Sequence, residues 1–79
     1  MPCYPGYRYC GPDCSGPGTP VNRLDAICIE HDACYRRYGQ KVCDDIFLRQ
    51  TSRLANQPNK IGRDARFMNR VIGNKRNRY

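Results

Sequence analysis

Leu24-Asp25-Ala26-Ile27-Cys28-Ile29-Glu30-His31-Asp32-Ala33-Cys34-Tyr35 holds the only histidine of the chain, set beside a carboxylate and between two cysteines. Placed on an α-helix, Leu24, Ile27, Cys28, His31, Cys34, Tyr35 and Tyr38 follow the i, i+3, i+4, i+7 spacing of one buried face. The stretch therefore predicts a helix that turns His31 inward. Asp32 lies about 100° further round, so the two side chains diverge and serve different neighbours. A lone histidine on an apolar face is ordinarily a core residue held by one hydrogen bond. The residues around this one point to chemistry instead.

Working outward, Asn22 is a good N-cap, Asp25 opposes the positive end of the helix dipole, and Gly39 ends the helix, which gives 22–38. Gly39-Gln40-Lys41 is short enough to join antiparallel helices. A second helix over 42–56 places Cys43, Asp44, Phe47, Leu48, Thr51, Leu54 and Ala55 on one face and leaves Asp45 and Arg49 to water. Asp44 then sits among apolar positions, which is costly unless something pairs with it. In a hairpin centred near Tyr38-Gly39, Cys34 and Cys43 are equally far from the turn and can bridge. His31 and Asp44 differ in level by roughly two residues, ~3 Å at the helical rise. Spacing alone thus predicts a buried His31–Asp44 pair between two helices.

A chain of 79 residues forms one domain with little core to stabilise it, and its six cysteines read as a disulfide framework made in an oxidising compartment. Zinc is the rival reading, but neither Cys10/Cys14 nor Cys28/Cys34 has a second close pair at finger-like spacing. No apolar run is long enough to span a bilayer, and Met1-Pro2-Cys3 does not open a signal peptide. A disulfide pattern without an export signal implies a mature form, a domain cut from a longer protein, or a chain with an added Met.

Residues 1–20 carry Pro2, Pro5, Pro12, Pro17 and Pro20 with four glycines, so they form an ordered loop whose unpaired carbonyls are free to coordinate a hard cation. Beyond Pro58, Ile61, Ala65, Met68, Val71 and Ile72 form an apolar stripe, and 61–72 reads as a cationic amphipathic helix followed by a frayed tail over 73–79. Residues 60–79 hold seven basic side chains against one acidic, a net +6, whereas residues 1–59 hold seven against six. This tail is either a solvated charged face or a surface that adsorbs to anionic lipid, and its adjoining stripe favours the second. Nucleic acid is not expected, because no groove-reading motif accompanies the basic residues or Tyr79. Tyr9 reads as a packing aromatic; Tyr4 and Tyr7 are open between packing and a rim around the site mouth.

The order Tyr9-Cys10-Gly11-Pro12, Pro20-Val21-Asn22, Leu24-Asp25-Ala26, Cys28-Ile29-Glu30-His31-Asp32-Ala33-Cys34-Tyr35, and Ile61-Gly62-Arg63 through Phe67 resembles the calcium loop, His-Asp helix and later helix of secretory phospholipase A2. It is closely similar to the phospholipase domain of parvovirus capsid proteins. The resemblance implies an all-α, disulfide-stapled domain: a Gly/Pro-rich calcium loop, two antiparallel helices and a C-terminal amphipathic helix. It implies calcium-dependent hydrolysis of the sn-2 ester of glycerophospholipids, with His31 as general base, Asp44 holding its tautomer, and Tyr35 bonded to Asp44. Ca²⁺ would be held by the carbonyls of Tyr9, Gly11 and Asp13 and the carboxylate of Asp32. By family position Cys10 pairs with Cys28 and Cys34 with Cys43, which leaves Cys3 with Cys14.

The chain also departs from that pattern. Ile27 replaces one of the paired cysteines of animal enzymes, the β-wing and its second tyrosine are missing, and Asp13 stands at the third carbonyl position in place of Gly. The reading from a different class is a non-catalytic membrane-binding module on the same scaffold. It ranks second because the catalytic set is unsubstituted.

Overall fold

Asn22 Oδ1 accepts a hydrogen bond from the Asp25 backbone N–H at 2.9 Å and starts the first helix where its capping residue stands in the sequence. The computed structural model describes residues 3–77, which hold an irregular N-terminal segment followed by α1 (Arg23–Tyr38), α2 (Gln40–Leu54) and α3 (Lys60–Arg76). Among the described residues there is no strand, so the fold is all-α. The expectations that involve Met1, Pro2, Arg78 and Tyr79 lie outside the described residues.

α1 and α2 run antiparallel, since Cys34 meets Cys43, His31 meets Phe47 and Glu30 meets Gln50. α2 begins two residues earlier than expected, because Gly39 alone turns the chain, at φ 86°. That left-handed backbone suits glycine, and a Cβ there would be strained although nothing lies within 4 Å. α2 also ends two residues early, at Leu54, where a turn from Leu54 carbonyl to Gln57 N–H at 3.0 Å takes over.

α3 corrects the expectation of a helix over 61–72 with a frayed tail. It starts at Lys60, capped by Asn59 Oδ1 on Gly62 N–H at 3.2 Å, and continues through Arg76. Tertiary contacts hold the extra turn: Ile72 packs on the core, Lys75 reaches Tyr35, and Arg76 Nε donates to Asp45 at 2.8 Å. Leu24, Ile27, Cys28, Phe47, Leu54, Ala65 and Met68 meet in one core, joined from the loop by Tyr7 and Cys10. Val71, expected on the apolar stripe, is exposed. Inside the α2–α3 seam, buried Thr51 accepts from Asn69 Nδ2 at 2.9 Å and donates to the Phe47 carbonyl.

Tyr7 resolves to packing. Its hydroxyl donates to Asp64 at 2.6 Å, and burial first, then that bond, push the phenol up to about 12. Tyr9 is half-buried with its hydroxyl donating to the Gly18 carbonyl, and Tyr4 packs edge-on against Phe67. Disulfides join Cys3–Cys14, Cys10–Cys28 and Cys34–Cys43, the pairing the resemblance implies. No thiolate is therefore left for zinc. In the chain-entropy account loops of these lengths contribute about 3 kcal/mol each, a large part of a small domain's stability. They fit an oxidising or secreted compartment, and among the described residues no helix is long and apolar enough to cross a membrane.

Gly62 marks the tightest approach. A Cβ on it would stand 1.9 Å from the Gln57 carbonyl oxygen, so the turn leading into α3 admits only glycine. Gly62→Ala should therefore destabilise the domain by about 1–3 kcal/mol. Thermal unfolding checks this, and an unchanged melting temperature would mean the turn is not where the structure puts it.

Candidate active site

His31 occupies the centre of α1's inward face, with its side chain 9 % exposed. The rings of Tyr35 and Phe47 lie on it, with centroids 4.4 and 4.5 Å away, and fix its plane. Its Nε2 is 2.7 Å from Asp44 Oδ1, and Asp44 is fully buried. Tyr35 donates its hydroxyl to the same oxygen. Because an ionised carboxylate only accepts, the proton is assigned to His31 Nε2, which leaves the Nδ1 lone pair as the imidazole's base. The pair expected from counting residues away from the turn is thus formed, and Tyr35 joins it.

Asp32 points elsewhere, as its place on the helix requires. It is half-buried on the wall of a cavity of about 680 Å³ that is also lined by His31, Tyr35, Gly11, Asp13 and Lys75. A cavity of that size suits a small-molecule ligand. Burial, opposed by the charges of His31 and Arg36, holds the Asp32 carboxyl above its ordinary value. A negative charge at this point is costly until a cation offsets it.

The loop that completes the wall is shaped by a residue whose role sequence reasoning missed. Asp25 is fully buried, and its carboxylate accepts from the backbone N–H groups of Arg8, Tyr9, Cys10 and Val21 at 2.8–3.3 Å. In the sequence it reads as a first-turn acid opposing the helix dipole. In the structure it ties the N-terminal segment to α1, drawing three successive donors inward. Cys10–Cys28 pins the same segment to the next turn of the helix. Asp13 has a left-handed backbone, φ 59°, the conformation a glycine supplies readily and an aspartate tolerates. Gly11 and Asp13 therefore reach the cavity together with Asp32, while Tyr9 is not among the wall residues. The Gly11 carbonyl already accepts from Cys14 N–H at 3.2 Å.

Asp32, Asp13 and Gly11 bring carboxylate and carbonyl oxygens, donors of the type a hard cation takes, to one cavity wall. Among the described residues no three His, Cys, Asp or Glu side chains cluster to hold a metal. Any ion at this place would rest on one carboxylate and backbone carbonyls, which are oxygen ligands in an irregular loop of the kind calcium accepts.

Lys75 is the other residue that sequence reasoning missed, because it lies in the segment expected to fray. Three further basic side chains of α3 are engaged: Lys60 pairs with Asp64, Arg66 donates to the Ala55 carbonyl, and Arg76 pairs with Asp45. The tail's charge is thus partly spent inside the fold.

No solved structure matches the chain closely enough to count as similar. Residues 3–73, from the first disulfide cysteine to the last turns of α3, match the family described as phospholipase A2-like domain. With that match spanning nearly all of the described fold, the chain belongs to the phospholipase A2-like domain family.

Proposed function

We propose that this protein is a calcium-dependent phospholipase A2 that hydrolyses the sn-2 ester of glycerophospholipids to a lysophospholipid and a free fatty acid. The observation that carries the reading is the 2.7 Å contact between His31 Nε2 and buried Asp44, on the wall of a cavity shared with Asp32 and the Gly11–Asp13 segment. His31 Nδ1 takes a proton from water as the water oxygen bonds to the ester carbonyl carbon. It returns that proton to the glycerol oxygen when the carbon–oxygen bond breaks. Asp44 holds the Nε2–H tautomer and stabilises the imidazolium, and Tyr35 holds Asp44. The carbonyls of Tyr9, Gly11 and Asp13 with the carboxylate of Asp32 would hold Ca²⁺, which when bound supplies positive charge where the oxyanion develops.

The test is fatty acid release from phospholipid vesicles in Ca²⁺ and in EDTA. Release should stop in chelator and in Asp32→Asn, and hydrolysis that continues unchanged in excess EDTA would remove calcium from the reaction. Stability gives a second readout. Asp32's folded pKa is raised, so its favourable contribution is present below the unfolded pKa and lost as pH rises through the folded one. At neutral pH the charge is a net cost, so Asp32→Asn should melt no lower than the wild type in EDTA. Calcium should stabilise the wild type, by roughly 2.7 kcal/mol at a hundred times the dissociation constant, and leave Asp32→Asn unmoved.

The reading also includes adsorption to an anionic membrane. Phe67 is half exposed on α3, packs edge-on against Tyr4 at the cavity wall, and stands one turn from Arg63 and Arg70 on either side. An aromatic between exposed arginines suits a lipid headgroup layer. Arg63→Gln with Arg70→Gln should weaken binding to anionic vesicles by roughly 1 kcal/mol per charge and leave binding to neutral vesicles unchanged. Co-sedimentation measures both, and equal loss on neutral vesicles would argue against this face.

A further inference from the structure

The last turn of α3 carries Lys75 into the cavity that His31 and Asp32 line, where it is the one Lys or Arg on the wall among the described residues. Its Nζ lies 3.0 Å from the Tyr35 hydroxyl oxygen and 4.9 Å from the centre of the Tyr35 ring. An ammonium has three donors and no acceptor, whereas a phenol has one proton and two lone pairs. When Lys75 donates to the Tyr35 oxygen, the Tyr35 proton must point elsewhere, and the acceptor in reach is Asp44 Oδ1. That oxygen then receives protons from two sides, Tyr35 and His31 Nε2, and offers His31 only a lone pair.

We propose that Lys75 is a positioning residue: by donating to Tyr35 it keeps the Tyr35 proton on Asp44 and so holds in place the carboxylate that fixes the His31 tautomer. The inference rests on the hydrolase reading for its effect on rate, but not for its effect on the ring. The chain of donors runs from α3 through α1 to α2 and back to α1, so all three helices contribute. The other charged groups facing this network are Asp32 on α1 and Asp13 in the loop, which share the cavity wall. Arg76, next in sequence, is drawn away by Asp45 at 2.8 Å.

The experiment uses the full chain with Lys75→Met and Lys75→Arg, each also in a Tyr35→Phe background. As the chain has a single histidine, its ring nitrogens can be followed directly by ¹⁵N NMR at a fixed pH where the ring is neutral. The wild type should show one tautomer, with the proton on Nε2. Lys75→Met should draw the two ring nitrogen signals together as the tautomers mix, and Lys75→Arg, which still only donates, should restore them. On phospholipid, Lys75→Met should lower kcat roughly tenfold with KM little changed, the equivalent of one hydrogen bond, and should have no further effect once Tyr35 is Phe. Unchanged ring signals and kcat in Lys75→Met would overturn the proposal. So would a rise in KM that persists undiminished in the Tyr35→Phe background, since that marks a lysine touching substrate phosphate directly. A wild type that releases no fatty acid, with ring signals that still respond to Lys75→Met, would uphold the positioning role and refute the hydrolase reading alone.

Discussion

His31→Asn should lower kcat by about 10²–10⁴-fold, the range that a positioned general base contributes, and leave the fold intact. The substitution keeps a polar side chain of moderate size between the Tyr35 and Phe47 rings, and Asp44 keeps the Tyr35 hydroxyl as a donor. No buried charge is therefore stranded without a partner. What disappears is the lone pair on Nδ1, for which asparagine has no substitute near neutral pH. Initial rates of fatty acid release, set beside a melting curve of the same preparation, check both halves. A variant that retains most of the wild-type rate would show that water is activated by some other group.

Asp25→Ala should be the most destabilising single change in the N-terminal half. It leaves the backbone N–H groups of Arg8, Tyr9, Cys10 and Val21 without their acceptor. Each donor left unmet costs about 1–3 kcal/mol, so a loss of about 2–6 kcal/mol is expected if two of the four regain water. At ~4–8 °C per kcal/mol for a domain of this size, the melting temperature should fall by at least ~8 °C. Cys3–Cys14 and Cys10–Cys28 still tether the segment, so the helices can persist while the cavity wall loses its shape. Calcium stabilisation should vanish with it, although Asp32 is untouched. Asp25→Asn should cost less, because its Oδ1 can still accept from Arg8, Tyr9 and Cys10 while its amide nitrogen meets the Val21 donor. A melting temperature within two degrees of wild type, by calorimetry, would mean the loop is held by its disulfides and not by this carboxylate; two degrees is roughly the resolution of the effect.

These two residues also mark what could and could not be read from the chain. The His31–Asp44 pair was legible because a hairpin this short sets the level of each residue by its distance from the turn, and period 3.6 decides the face. Both ends of α1 were legible because Asn22 and Gly39 act locally. The start of α2 was two residues off, as one glycine at φ 86° does the work that a three-residue connection was expected to do. The frayed tail expected over 73–79 gives way to helix through Arg76. Lys75 on Tyr35 and Arg76 on Asp45 hold that turn, and such contacts have no signature in a linear pattern.

Asp25 was illegible for a related reason. Its partners are backbone groups of a Pro/Gly-rich loop, whose path no periodicity specifies, and the same residue has a sufficient local explanation at a helix N-terminus. Of the disulfides, a bridge between Cys34 and Cys43 was open to counting from the turn, whereas Cys10–Cys28 and Cys3–Cys14 followed from resemblance, since six cysteines admit fifteen pairings. The tail shows the limit of net charge as an argument. Pairing with Asp64 and Asp45 and bonding to a carbonyl engage three of its basic residues, so the surface that meets a membrane is smaller than the +6 suggests.

The central claim, that His31 activates water against the sn-2 ester beside a bound cation, is tested most directly with a phospholipid carrying different acyl chains at sn-1 and sn-2, hydrolysed in H₂¹⁸O. Mass spectrometry of the products should find one ¹⁸O in the carboxyl of the sn-2 fatty acid, none in the lysophospholipid, and no product in EDTA. Label in the lysophospholipid, release of the sn-1 acid, or undiminished hydrolysis without calcium would contradict it.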